Sequence, residues 1–289
     1  MQTPLASSET LDNSIHAEAT EPKRNRLRLS VAARNFGPVP VLQALESVAR
    51  AGFDTCDNFP WRDANEFATY AEGLRRYALG AGVLVVNKVP DVNALGCSLN
   101  DPADREGFLR ELGRCIAAAE TVGCSRLELL SGNTIPGVSR EEQLRNCAAT
   151  LRAAIPLLER HRMTAVVEML NSTEEHPGYF LDTTRDALEL VERVGSPRVK
   201  LLFDIYHVQL AEGNIIRKLR ENIGHIGQIH FADAPGRHEP GTGEINFRNV
   251  FQAIYELGDR YPGYVTAEYE PTGYTFRDLD LIRELATFD

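Results

Sequence analysis

The 289-residue sequence has no apolar run near the ~18–20 residues that cross a bilayer. Its opening stretch, MQTPLASSETLDNSIHAEATEPKRNR, lacks the apolar core of a secretory signal. Five cysteines (Cys56, Cys97, Cys115, Cys124, Cys147) are an odd number without a CxxC pair. That argues against a disulfide framework, and the expected location is the reducing cytoplasm. Basic residues number 31 against 41 acidic ones, a net charge of -10, which disfavours partnership with nucleic acid or an anionic membrane. No GxGxxG follows the first apolar run and no GxxxxGK[ST] occurs, so a nucleotide cradle is unsupported.

What is present is a repeat of short apolar runs and amphipathic stretches. Residues 1–25 are polar, without periodicity, and read as a flexible tail. Residues 26–289 read as one catalytic domain. Its candidate strands are LRLSVAA (27–33), FDTCDNF (53–59), VLVVNKV (83–89), RLELLSG (126–132), TAVVEML (164–170), VKLLFDIYH (199–207), IGQIHFAD (226–233) and YVTAEYEP (264–271). Helical patterns fall between them at 41–52, 105–123, 141–162 and 184–195, several ending in Gly as helix C-termini do. Eight such units with continuous apolar strands predict an α/β fold, a single-domain (β/α)8 TIM barrel.

Catalysis in such a barrel sits at the C-terminal ends of the strands. The fifth run ends in Glu168, the sixth in Asp204, the seventh carries His230 and the eighth ends in Glu268. A bare charge stranded in an apolar run is costly, so a carboxylate there must be paired, protonated or metal-bound. Two Glu, one Asp and one His form a hard donor set that suits Mn²⁺, Mg²⁺ or Co²⁺ better than Zn²⁺.

VVEMLN, FDIYH, QIHFADAPGRHEPGTGEINF and AEYEPTG resemble the hydroxypyruvate isomerase family of the xylose isomerase-like TIM barrels and, more distantly, the ketose 3-epimerases. The resemblance spans most of residues 27–289 and is sharpest from Glu168 to Gly273. It implies that Glu168, Asp204, His230 and Glu268 hold one divalent ion, and that Glu168 and Glu268 transfer a proton through a metal-bound enediolate of a sugar or keto acid. His230 departs toward the epimerases, because hydroxypyruvate isomerases typically carry Gln there. The resemblance further implies substrate-binding roles for His207 and Arg237. Asn171 is a candidate to orient Glu168 or substrate, Lys88 to reach a substrate oxygen, and Trp61, with Phe59, to stack on a sugar or aglycone. Relatives of this kind are often homo-oligomers.

Three other readings compete with the isomerase. One is a lyase subunit cleaving 3-keto C-glycosides with a small β partner. Another is a non-catalytic sugar-binding barrel. The third is an abasic-site endonuclease, which needs a histidine-rich trinuclear site where this chain has Asn58 and Asn87.

Overall fold

In the computed structural model, residues 25–88 and 96–288 are described. The predicted tail lies outside them apart from Asn25, as does Val89 of the third predicted strand. The chain forms a parallel barrel of nine strand segments: β1 (Leu29–Ala32), β2 (Thr55–Asp57), β3 (Gly80–Ala81), β4 (Leu84–Val85), β5 (Arg126–Leu130), β6 (Thr164–Glu168), β7 (Val199–Asp204), β8 (Ile226–Phe231) and β9 (Val265–Ala267). Their order around the sheet is β3-β2-β1-β9-β8-β7-β6-β5-β4, so β1 lies against both β2 and β9.

The third stave is where expectation and structure differ most. A single strand over 83–89 was expected. The chain instead pairs with β2 through β3 and with β5 through β4. Between the two segments, Gly82 N–H donates to Cys56 O at 3.1 Å and Asn58 N–H to Val83 O at 2.9 Å. The step falls at Gly82 because a β-carbon there would lie 2.0 Å from Asp57 Oδ1. Only glycine admits so close an approach. The sixth expected strand also ends early. Asp204 Oδ1 accepts from Tyr206 N at 2.8 Å, which caps a helix over Ile205–Ala211 directly behind the strand.

Helices coat the outside, and their starts follow ordinary capping chemistry. Ser139 Oγ accepts from Glu142 N, Thr183 Oγ1 from Asp186 N, and Asn246 Oδ1 from Asn249 N. Gly195, in the left-handed region at φ 68°, closes the helix Thr184–Val194. Alternate strand residues point outward into the main core beneath these helices, among them Leu129, Val167, Leu201, Phe203 and Ile229. The inward set behaves differently. Val83, Val166 and Leu202 form a small apolar cluster of their own. Ser30, Asp57, Gln228 and Thr266 form a buried polar group joined by hydrogen bonds. Among the described residues no helix is long and apolar enough to cross a membrane.

Candidate metal centre

The period of two along a strand carries the inward face upward from this floor. Two residues beyond Val166 comes Glu168, beyond Leu202 comes Asp204, beyond Gln228 comes His230, and beyond Thr266 comes Glu268. Four consecutive staves, β6 to β9, thus bring Glu168, Asp204, His230 and Glu268 together, with one donor atom of each within 4.8 Å of the others. Asp204 and His230 are direct register partners. Glu168, Asp204 and His230 are buried, and the Glu268 side chain is 12% exposed.

These side chains leave hydrogen-bonding capacity unused. Asp204 spends Oδ1 on the helix cap, but its Oδ2 has no hydrogen-bond partner. Glu168 Oε1 and both His230 ring nitrogens have none either. Buried polar atoms without partners are expensive, and three carboxylates converging on one imidazole repel one another. A divalent cation answers both problems, so the residues present fit one.

The electrostatics are uneven. Burial, followed by the neighbouring Glu128, Glu268 and Asp204, pushes the Glu168 carboxyl well above its usual range. Burial also opposes ionisation of Glu268, but His230 and Arg237 outweigh it and hold that carboxyl well below the usual range. Asp204 is raised, chiefly by burial. Burial alone would lower the His230 imidazole. Glu268, Glu128 and Asp57 outweigh it and raise the ring to about 9.

The loop after β8 supplies Arg237, whose side chain is 6% exposed. Its guanidinium donates to Glu268 Oε2 at 3.0 Å and to Glu175 Oε2 at 2.5 Å, lies over the Tyr206 ring, and keeps Nε without a partner. Tyr206 Oη donates to the other oxygen of Glu175 at 2.8 Å. The loop is knotted around Asp233, whose carboxylate accepts from the backbone of Ala234, Gly241, Gly243 and Ile245. His238 bonds Glu270 O, Glu239 accepts from Thr272, and Glu244 accepts from Gln209, so these three residues order the loop.

His207 is buried beside this group. Asn171 donates to its Nδ1 from both the backbone N–H at 3.3 Å and the side-chain amide at 2.8 Å. The backbone group can only donate, so Nδ1 is the acceptor and the ring proton sits on Nε2. Nε2 lies 3.6 Å from Asp204 Oδ2 and has no hydrogen bond. Burial holds the ring well below its ordinary value, hence neutral. Glu175, His176 and His207 also group within metal-ligand reach. That group is already engaged, through Arg237 and Tyr206 on Glu175 and through Asn171 on His207.

Among the described residues, Trp61 and Lys88 share no hydrogen bond or ion pair with the cluster. Trp61 is buried, its Nε1–H donates to Val85 O at 2.8 Å, and Arg62 stacks over its ring. Phe59 stacks on Tyr70 with centroids 5.0 Å apart. Both rings belong to the buried core. Lys88 is exposed. Glu128, closing no apolar run, is also buried in the barrel, and its Oε2 accepts from the amide of Asn58 at 2.8 Å. Glu175 was missed altogether. In STEEH it reads as an ordinary polar turn, and only the fold carries it to Arg237.

Residues 45–285 match the model of the family described as xylose isomerase-like TIM barrel. A human protein named putative hydroxypyruvate isomerase is 32% identical, over 75% of this chain and 81% of its own. A 2-oxo-tetronate isomerase of Haemophilus influenzae is 31% identical, over 85% of this chain and 93% of its own. A solved structure from Brucella melitensis, described as AP endonuclease, family 2, superposes with a TM-score of 0.78 at 28% identity, over 89% of this chain and 98% of that one.

Proposed function

Because the chain belongs to the xylose isomerase-like TIM barrel family, we propose that it is a divalent-metal-dependent isomerase that moves a proton between neighbouring carbons of a short keto acid or a ketose. The observation that carries this reading is the cluster itself: Glu168 and Glu268 stand at the two ends of the β6–β9 arc with Asp204 and His230 between them, one donor atom of each within 4.8 Å of the others. Two carboxylates placed on either side of one site suit one base and one acid. When bound by Glu168, Asp204, His230 and Glu268, a divalent ion supplies a Lewis acid at adjacent carbonyl and hydroxyl oxygens, making the C–H beside them acidic. Mn²⁺, Mg²⁺ and Co²⁺ match this oxygen-rich set.

The protein's own groups do the rest. Glu268 takes the proton and Glu168 is placed to return one. His207 directs a fixed Nε2–H into the site as a donor to a substrate oxygen. Arg237 offers its positive charge and an Nε–H without a partner to a substrate carboxylate. This favours a short keto acid, the class named for the human and Haemophilus relatives. DNA chemistry, which the description of the Brucella protein names, finds less support. Asn58 donates to Glu128, and Asn87 donates to Cys97 O and Leu130 O, so both serve the barrel wall.

The test is proton NMR in D₂O with Mg²⁺, using hydroxypyruvate, a four-carbon 2-oxo acid and a panel of ketoses. Loss of the C–H signal next to a carbonyl, stopped by EDTA, is the expected result. Solvent exchange that persists in EDTA would sink the metal-dependent reading. Isomerised product that keeps its C–H signal would show that the proton is carried without exchange with solvent, and absence of isomerised product across the panel would sink the isomerase reading.

A further inference from the structure

The floor beneath the site holds a carboxylate that the proposed chemistry does not use. Asp57, from β2, has no exposed surface. Its Oδ1 accepts from Ser30 Oγ at 2.5 Å; its Oδ2 accepts from Thr266 Oγ1 at 2.6 Å and from Gln228 Nε2 at 3.1 Å. These donors come from β1, β9 and β8 and hold the group at the barrel axis. Isolating a carboxylate there is costly unless it serves something. Among the described residues, the ion pair recorded for Asp57 is with His230, whose Nε2 lies 3.9 Å from Asp57 Oδ2.

The two nitrogens of His230 face different ways. Nδ1 is 3.5 Å from Glu268 Oε2, on the side of the donor cluster, and Nε2 looks down at Asp57. Neither has a hydrogen-bond partner. A histidine that binds a metal through one nitrogen commonly gives the proton on the other to a carboxylate, which fixes the tautomer and the ring plane. We propose that Asp57 is a positioning residue for the metal centre: its carboxylate faces His230 Nε2 and keeps the ring proton on that nitrogen, leaving the Nδ1 lone pair facing the cation. The inference rests on the reading of the cluster as a metal site. It also gives a reason for histidine at a position where the resemblance to hydroxypyruvate isomerases implies glutamine. An amide oxygen has no tautomer to fix, and this chain supplies the carboxylate an imidazole needs.

The test is Mn²⁺ affinity by titration calorimetry on the full chain, for wild type, Asp57→Asn, His230→Gln and the double variant. Asp57→Asn is expected to weaken Mn²⁺ binding about 10- to 100-fold, the usual effect of losing such a partner. In the His230→Gln background the same change is expected to alter affinity by less than about twofold, because its route to the ion is gone. Equal losses in both backgrounds would overturn the proposal, since Asp57 would then act through the fold or the general field. An unchanged affinity in Asp57→Asn would overturn it as well. Wild type that binds no Mn²⁺, Mg²⁺ or Co²⁺ would instead remove the metal reading, and the proposal with it.

A second measurement uses wild type alone. ¹⁵N-labelled imidazoles in the Mg²⁺-loaded protein are expected to show His230 protonated on Nε2. A proton on Nδ1 overturns the assignment even if the variant fails to fold.

Discussion

At the scale of single residues, the site divides its labour by environment and not by residue type. Glu168 and Glu268 are the same side chain on either side of one cluster, yet burial among carboxylates raises one while His230 and Arg237 lower the other. Glu268→Gln keeps the shape and removes the proposed base. We expect turnover to drop about 10²- to 10⁴-fold, with the chain still folded as judged by circular dichroism. Wild-type-like turnover would end its catalytic assignment. Without metal, the pH dependence has a definite sign. Burial pushes Glu128 from an ordinary value of 4.5 up to about 7, and His230 is raised from 6.5 to about 9. Each folded group holds a proton that the unfolded chain releases at lower pH. The stability they confer is full below the unfolded values and is lost as pH rises through about 7 for Glu128 and about 9 for His230. The melting temperature of EDTA-treated protein should therefore fall between about pH 5 and 9. Glu128→Gln should flatten the lower part of that fall; a slope unaltered by this change would show that Glu128 does not contribute to it.

At the scale of elements, the strands were legible where a run is apolar without interruption. TAVVE and VKLLFD stand at the expected places because both of their faces are buried. The four donors were legible for the same reason, since a charged or imidazole side chain closing such a run breaks the pattern. The third stave was not, because its break is set by the carboxylate of Asp57, a neighbour in space that no local pattern announces. Arg237 was legible in its Gly-Pro-rich loop, whereas its partner Glu175 depends on where two separate loops meet. The break yields its own prediction. Gly82→Ala forces a methyl into Asp57 and should destabilise the protein by about 1–3 kcal/mol, as overpacking does in a filled interior. Urea unfolding measures this. A loss below about 0.5 kcal/mol, the range of ordinary surface substitutions, would show that the approach at Gly82 is slack.

At the scale of the whole molecule, the barrel is uneven around its circumference. Staves β6, β7 and β8 have five or six residues each, and the stave formed by β3 and β4 has two in each segment. Short, interrupted ladders open more readily than long ones. Hydrogen exchange should find the amides of Leu84 and Val86 less protected than those of Val167, Leu202 and Phe203, and the reverse order would contradict the pairing described. The ring also joins its first strand to its last, with Leu29 beside Val265. On the ribosome, β1 emerges early and one of its edges stays bare until β9 has been made. The donor residues lie between Glu168 and Glu268, so much of the chain is synthesised before a cation has four donors to bind. An ion bound at the arc is therefore a late arrival in the life of the chain, able to secure a finished ring but not to template its first half.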